Sequence, residues 1–428
     1  MTSDMSTVVC IACGAALSDR TSHSTCSQCG GLLTVQHTSQ RRGAALRAVF
    51  DERAAVSART TNAVLRSGVW RFRELVLSAT DDEIVTHPEG NTPIVAREAL
   101  AQFTGVDAML VKHEGHNPTG SFKDRGMTVA ITQARRINAR AVACASTGNT
   151  SASLSAYAAQ AGIPSFVFVP DGRVAAGKLA QTLAYGARTL RIRGDFDDCL
   201  RLARDASEQL GVYLVNSVNP FRVEGQKTIM FELLQQLAWQ APDWIALPAG
   251  NLGNTSAFGK ALSEAHALGL IDRIPRLLAV QASGAAPFAQ GFAEHFATRV
   301  RVRAETRATA IRIGDPASWD RAVQAMSDTN GIVEAVSDDA IFAAKDVIDR
   351  CGVGCEPASA ASIAGVRALA QRGEIRSNET VVAILTGHLL KDPGSSASDA
   401  GGGDDGALTT EQAMELLARA TATAPSQR

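Results

Sequence analysis

No run of eighteen apolar residues occurs anywhere in the 428-residue chain, which excludes an obvious membrane-spanning helix. Net charge is nearly absent as well. The 42 basic residues face 43 acidic ones, leaving no overall field to gather nucleic acid or an anionic membrane. The first nineteen residues lack both Lys and Arg and hold no long apolar stretch, so a secretory leader is not expected and a cytoplasmic location is. Basic residues are nearly missing from positions 1–40, where Arg20 stands alone against Asp4 and Asp19. Internal repeats are missing too. What remains is a globular composition, 45% apolar and 20% charged, in a chain too long for one typical core; two or three domains are expected.

The eight cysteines are unevenly placed. Cys144, Cys199, Cys351 and Cys355 are scattered, whereas Cys10-x2-Cys13 and Cys26-x2-Cys29 form two knuckles, each followed by a glycine, Gly14 and Gly30. That spacing suits tetrahedral thiolate coordination of a structural zinc, with a metal-free reduced ribbon as the alternative. A nucleic-acid role is disfavoured, because phosphate binding needs a basic cluster that this module lacks. Residues 41–74 carry eight arginines (Arg41, Arg42, Arg47, Arg53, Arg59, Arg66, Arg71, Arg73). They read as a helix plus the extended lead-in "SGVWRFREL", with a solvated arginine face.

From about residue 106, short β-branched runs alternate with helical ones. Expected strands are Ala108–Lys112, Ala141–Ala145, Ser165–Val169, Thr189–Ile192, Val212–Val215, Trp244–Leu247, Arg276–Gln281 and Thr380–Leu385. Expected helices include Met127–Arg136, Thr150–Ala161, Val174–Tyr185, Phe196–Leu210, Gly225–Leu237 and Ala358–Ala370. The alternation predicts an α/β fold of two doubly wound domains with mainly parallel sheets, preceded by the zinc-ribbon-like module. After Pro393, "GSSASDAGGGDDGA" reads as a flexible linker. A short helix follows it, with Thr409 and Gln412 in capping-box positions and Ala413, Leu416, Leu417 and Ala420 on one face. The expected boundaries are 1–40 for the ribbon, 41–112 with 222–393 for a large domain, 113–221 for a smaller one, and 394–428 for the tail.

Parallel sheets place ligands at the carboxyl ends of their strands, which selects the loops to search. In "NPTGSFKDRGM", Lys123 sits among turn-forming residues at the mouth of a helix that Ser121 could cap. "ASTGNTSAS" offers hydroxyls, amides and the Asn149 carboxamide at another helix start. In "PAGNLGNTSA", Gly250, Asn251, Leu252, Gly253 and Asn254 form a turn whose backbone can approach a phosphate closely. "VVAILTGHLLKDP" places Thr386 directly after an apolar strand. An amine, a phosphate cradle and a neutral hydroxyl are together what pyridoxal 5'-phosphate requires.

These motifs, with "EGNTPI", "NSVNPFRVEGQKT", "ATAIRIGDPASW" and "CEPASAAS", run in order from about Cys10 to Pro393. In this the chain resembles the threonine synthase family, within the tryptophan-synthase-β-like, fold type II pyridoxal-phosphate enzymes. The resemblance implies that Lys123 bonds the cofactor aldehyde, Asn149 meets its phenolic oxygen, Gly250 to Asn254 hold its phosphate, and Thr386 faces its ring nitrogen. Ser146, Thr147 and Thr150 would meet the substrate, and Arg222 would lie near the substrate phosphate. Helix capping is the alternative for Asn149 and Asn254, and an ordinary ion pair for Arg222. His113 and His116, beside the lysine loop, read as loop residues rather than catalysts. The implied reaction converts O-phospho-L-homoserine and water to L-threonine and phosphate. A cysteate synthase or a threonine/serine dehydratase is the alternative within the same superfamily. The expected partners are a small-molecule substrate and a second copy of the chain, with no nucleic acid and no membrane.

Overall fold

The structure is a computed structural model and describes residues 5–171, 176–194, 196–392, 409–410 and 412–415. In chain order its strands are β1 (Met5–Cys10), β2 (Ala16–Leu17), β3 (Leu33–Thr38), β4 (Ile94–Ala96), β5 (Ala108–His113), β6 (Val142–Ala145), β7 (Ser165–Pro170), β8 (Arg188–Ile192), β9 (Tyr213–Leu214), β10 (Trp244–Pro248), β11 (Arg276–Ala282), β12 (Ile332–Val336) and β13 (Thr380–Leu385). Among the described residues they form three sheets, ordered β2-β1-β3, β12-β11-β10-β13-β5-β4 and β8-β7-β6-β9. The first is antiparallel. The third is wholly parallel, and in the second only β4 runs against its neighbour. The expected fold class therefore holds. Near-continuous burial along β6, β10 and β13 is what helices on both faces of a parallel sheet produce.

Apolar side chains divide along the same lines. One cluster packs Trp70, Phe72, Phe231 and Phe258 against one face of the six-stranded sheet and reaches into the ribbon through Val8, Leu33 and Val35. A second covers the other face through the helix Pro357–Gln371. A third gathers Met127, Ile131, Leu154 and Tyr157 around the four-stranded sheet. Beneath the lysine helix lies a buried ionic knot. Glu232 accepts from Lys112 (2.6 Å), Arg125 (2.8 Å) and Arg71 (3.1 Å), and Arg125 also grips Glu114 at 2.6 Å. Breaking such a pair leaves an uncompensated buried charge at a cost of about 3–5 kcal/mol.

Several local expectations change. The lysine helix spans Lys123–Arg136, four residues longer at its start than its apolar period indicates. Ser121 does not cap it: Phe122 occupies the N-cap in a helical conformation, and the buried Ser121 Oγ has no partner among the described residues. Asp124 fastens the loop in its place, accepting from Thr119 N at 2.7 Å and Thr119 Oγ1 at 2.6 Å. The single helix expected over Gly225–Leu237 is two, Pro220–Gln226 and Thr228–Gln236. The first starts early because Asn219 caps Phe221 N at 3.0 Å with Pro220 following. "SGVWRFREL" is a buried 3-10 turn, Trp70–Leu75, and not extended. The arginine face there is partly internal, since Arg71 joins the knot and Arg53 pairs with Glu74 at 2.5 Å. Strand β12 went unexpected because Glu334 interrupts its apolar run.

In the tail, described separately from the body, Thr409 and Gln412 form the reciprocal capping box: Thr409 N donates to Oε1 at 2.9 Å and Gln412 N to Oγ1 at 3.3 Å. The linker and Leu416, Leu417 and Ala420 lie outside the described residues. Among the described residues, no helix is long and apolar enough to cross a membrane.

Candidate active site

A cavity of about 1070 Å³ opens where β5, β6, β10 and β13 end. Lys123, Ser146, Thr147, Asn149, Thr150, Arg222, the whole turn Gly250 to Asn254, and Thr386 all line it. These residues come from five separate stretches, brought together by the strand order.

The lysine loop and the segment after β13 are fastened to each other. Phe122 N donates to Thr386 O at 3.0 Å and His388 N to Gly120 O at 2.9 Å, so Lys123 and Thr386 are held in one backbone frame. Lys123 Nζ lies over the Phe122 ring, 4.1 Å from its centroid. Burial, then the Arg222 charge, lowers its pKa to about 7, with Glu356 opposing. A largely buried amine that loses its proton near neutrality can act as nucleophile or base.

Arg222 sits within the helix Pro220–Gln226, 1% exposed. Its Nη1 donates to Val215 O at 3.1 Å, while Nε and Nη2 have no partner among the described residues. Among the described residues it has no ion pair, so the ordinary salt-bridge alternative fails. Burial lowers its pKa to about 10, which leaves it charged at neutral pH. An unpaired buried guanidinium is costly unless an anion completes it.

In the turn after β10, Leu252 adopts a left-handed backbone (φ +63°) at the N-cap of the helix Gly253–Ala267. A Cβ at Gly250 would come within 3.0 Å of Ile311 Cα, so the backbone itself forms that wall. Asn251 is fixed by Ser217 Oγ (2.7 Å) and Ala317 N (2.6 Å). Asn254 caps nothing: its buried Oδ1 has no partner among the described residues. Asn149 is likewise no cap, because its Nδ2 donates to Glu356 Oε2 at 2.9 Å. Ser146 Oγ accepts from Gly148 N at 3.3 Å.

His113 is buried. Its Nδ1 accepts from Gly115 N at 3.1 Å, so Nε2 holds the proton donated to Gly354 O at 2.7 Å. Both ring nitrogens are spent on loop structure, and His116 is exposed.

Sequence reasoning missed Glu356. It precedes Pro357 at a helix start, where an acid is locally unremarkable because it suits the helix dipole, but its carboxyl makes no cap and turns into the cavity. It also missed Gln226 and Lys391, which line the same space.

Away from the cavity, the four ribbon thiols Cys10, Cys13, Cys26 and Cys29 lie within 4.8 Å of one another. Gly14 and Gly30 take the left-handed conformations the knuckles need (φ +73° and +72°). Backbone hydrogen bonding, from Cys13 first, lowers the Cys10 pKa to about 6. The ribbon docks through His37, whose Nε2 lies 2.6 Å from Glu224, a carboxylate also held by Lys227 and Lys260.

Residues 85–387 match the family of pyridoxal-phosphate dependent enzymes. The chain is similar to a threonine synthase of Methanosarcina acetivorans, 46% identical over 386 residues, covering 90% of this chain and 92% of that one. It is 50% identical over 330 residues to a threonine synthase of Mycobacterium tuberculosis, covering 77% and 89%. Its fold resembles the crystal structure of threonine synthase from Escherichia coli, with a TM-score of 0.71 at 19% identity over 95% and 94% of the two chains. It also resembles the processed threonine deaminase isoform 2 of Solanum lycopersicum, with a TM-score of 0.64 at 21% identity over 82% and 94%.

Proposed function

The chain belongs to the threonine synthase family of pyridoxal-phosphate-dependent enzymes, and on that footing we propose that it converts O-phospho-L-homoserine and water to L-threonine and inorganic phosphate. The observation that carries this reading is the second anion site. The turn Gly250 to Asn254 accounts for one phosphate, and the unpaired Nε and Nη2 of Arg222 remain for another. A dehydratase acting on threonine or serine needs only the first.

The residues present fit pyridoxal phosphate. Lys123 offers an amine poised near neutrality, Gly250 leaves a backbone wall, and the turn ends at the N-terminus of the helix Gly253–Ala267, whose backbone N–H groups suit a phosphate. Lys123, Asn149, Gly250, Asn251, Leu252, Gly253, Asn254 and Thr386 would hold the cofactor. When bound, it supplies an aldehyde for the substrate amine and a ring that delocalises the electrons released at Cα.

Lys123 then takes the α-proton and returns it, which its lowered pKa allows at neutral pH. Ser146, Thr147 and Thr150 orient the substrate. Arg222 binds the γ-phosphate and stabilises its departing charge through charge-assisted contacts that suit a guanidinium better than an ammonium. Thr386 would face the ring nitrogen as a neutral group, which would keep the electron sink modest and favour elimination over transamination. Cβ gives up a proton as the phosphate leaves Cγ, Cγ gains one to become the methyl group, water adds its hydroxyl at Cβ, and the remaining proton of water goes to the released phosphate.

The reading extends to a body divided at 41–112 with 222–393 and 113–221, supported by separate apolar clusters around the two parallel sheets. It also includes a structural zinc on Cys10, Cys13, Cys26 and Cys29, supported by the converging thiols, and a cytoplasmic homodimer. The test is to incubate purified protein with O-phosphohomoserine and follow phosphate and threonine together. Equal release of both is expected; phosphate without threonine, or neither, refutes the assignment.

A further inference from the structure

Glu356, Thr386 and Ser359 form a hydrogen-bonded chain on the cavity wall whose proton directions follow from counting donors. Ser359 Oγ accepts from two backbone groups, Thr386 N at 2.9 Å and Gly387 N at 3.1 Å. Its single proton is therefore left for Thr386 Oγ1, 2.9 Å away. Thr386 consequently accepts from Ser359, and its own proton goes to Glu356 Oε1 at 3.3 Å. The other carboxyl oxygen, Oε2, accepts from Asn149 Nδ2 at 2.9 Å. One carboxyl group thus ties together the two residues assigned to the phenolic oxygen and the ring nitrogen. Gly387 makes room for it, since a Cβ there would lie 2.4 Å from the carboxyl carbon.

The two ties respond differently to a bound cofactor. The Asn149 amide has two N–H groups and can serve Glu356 and a phenolic oxygen at once. Thr386 has one proton. To donate it to an unprotonated ring nitrogen, Thr386 must withdraw it from Glu356. That would leave two facing lone pairs, on Oε1 and Oγ1, in a buried site. A proton on Glu356 resolves the conflict, because the acid can donate to the free lone pair of Thr386.

We propose that Glu356 is a positioning residue that takes up a proton from solvent when the cofactor binds, donating it to Thr386 so that Thr386 donates to the ring nitrogen. This rests on the cofactor site assigned above. Burial already pushes the Glu356 carboxyl above the usual range; Asn149, Lys391, Thr386 and Lys123 pull the other way. The neighbouring Cys355 thiol, itself raised by burial, adds no charge near neutrality. The opposite polarity, a protonated ring nitrogen donating to Thr386 with Glu356 ionised, is what the experiment must exclude.

The experiment compares infrared spectra of cofactor-loaded wild type, Glu356→Gln and Thr386→Val near pH 8, where Asp124, at about 6, is ionised and silent. Wild type should show the carbonyl stretch of a buried carboxylic acid, sensitive to D₂O. The band should vanish in Glu356→Gln and move in Thr386→Val, where the acid loses its acceptor. No acid band in the wild type overturns the proposal. Should Glu356→Gln fail to fold, the comparison of wild type with Thr386→Val decides alone: a band that moves upholds the proposal, and an absent or unmoved band overturns it. Borohydride reduction of the same wild-type sample separates the two levels of inference. A label on Lys123 without the acid band sinks only the role of Glu356, whereas no label on Lys123 sinks the cofactor site with it.

Discussion

Replacing Gly225 with alanine should damage stability and activity together, for a reason visible in one contact. Gly225 faces the lysine helix where the two helices touch, and a Cβ there would lie 1.8 Å from Arg125 O and 2.9 Å from Gly126 Cα. A methyl group needs about 3.4 Å, so the helices must part by roughly 1.5 Å. Neither can retreat freely. Arg125 is clamped by Glu114 and Glu232, and the other helix by the Glu224 pairs with Lys227, Lys260 and His37. Overpacking costs about 1–3 kcal/mol, and loosening one buried ion pair could raise this to about 3–5 kcal/mol. Lys123 lies two residues before Arg125 and Arg222 three before Gly225, so the wedge also changes the spacing between amine and guanidinium. A displacement of about 1 Å at reacting groups costs about 100-fold in rate. Gly225→Ala should therefore lower the melting temperature by several degrees and kcat/KM for O-phosphohomoserine by about 100-fold, read by calorimetry and a phosphate-release assay. Wild-type melting and kinetics in this variant would refute the close packing on which the site geometry depends.

Arg222→Ala should keep its cofactor but lose about one to two powers of ten in kcat/KM on O-phosphohomoserine, the worth of a charge-assisted hydrogen bond of roughly 1.5–3 kcal/mol. Inorganic phosphate should inhibit this variant far less than wild type; equal turnover would mean that the second anion site is misplaced. In the cofactor-free protein, reaction of Lys123 with an aldehyde reagent should rise through about pH 7, and at a higher pH in Arg222→Ala because the charge lowering the amine is gone. The sign for stability follows: with the folded pKa depressed to about 7 against 10.5, this group destabilises the fold below pH 7, and stability is regained as pH rises from 7 to 10.5. Metal analysis should give about one zinc per chain from the four-thiolate set. Cys26→Ser with Cys29→Ser should lose that metal and lower stability, while borohydride still labels Lys123.

The alternation of short apolar strands with helical stretches carried the α/β assignment, because burial on both faces of a parallel sheet removes polar residues from its strands. The lining of the cavity was legible for a related reason. The turn Gly250 to Asn254 and Thr386 each come directly after a buried strand, at the carboxyl edge where parallel sheets bind ligands. Glu356 was not legible, since an acid at a helix N-terminus already suits the helix dipole and only the tertiary position of Asn149 and Thr386 draws its carboxyl away. Ser121 failed in the opposite sense: it satisfied the capping pattern, but its backbone bridges to Gly387 and leaves the N-cap to Phe122. The charge of Arg71 also looked solvent-bound in sequence, because nothing local announces that Glu232 waits more than a hundred residues away.

The strand order has a consequence for synthesis. β13, the last strand made, lies in the middle of the six-stranded sheet between β10 and β5. Until it emerges from the ribosome, β5 and β10 each have an open edge of the kind that recruits foreign strands. At about 5–20 residues per second, the 267 positions from the end of β5 to the start of β13 keep that edge waiting for roughly ten to fifty seconds. Lys123 also waits, because its loop is fastened to residues that follow β13. A chain that stops short of Thr380 would have its lysine but no frame to hold it. Nascent chains of this protein should therefore depend on chaperones until nearly their full length has been made, and should acquire the cofactor only afterwards.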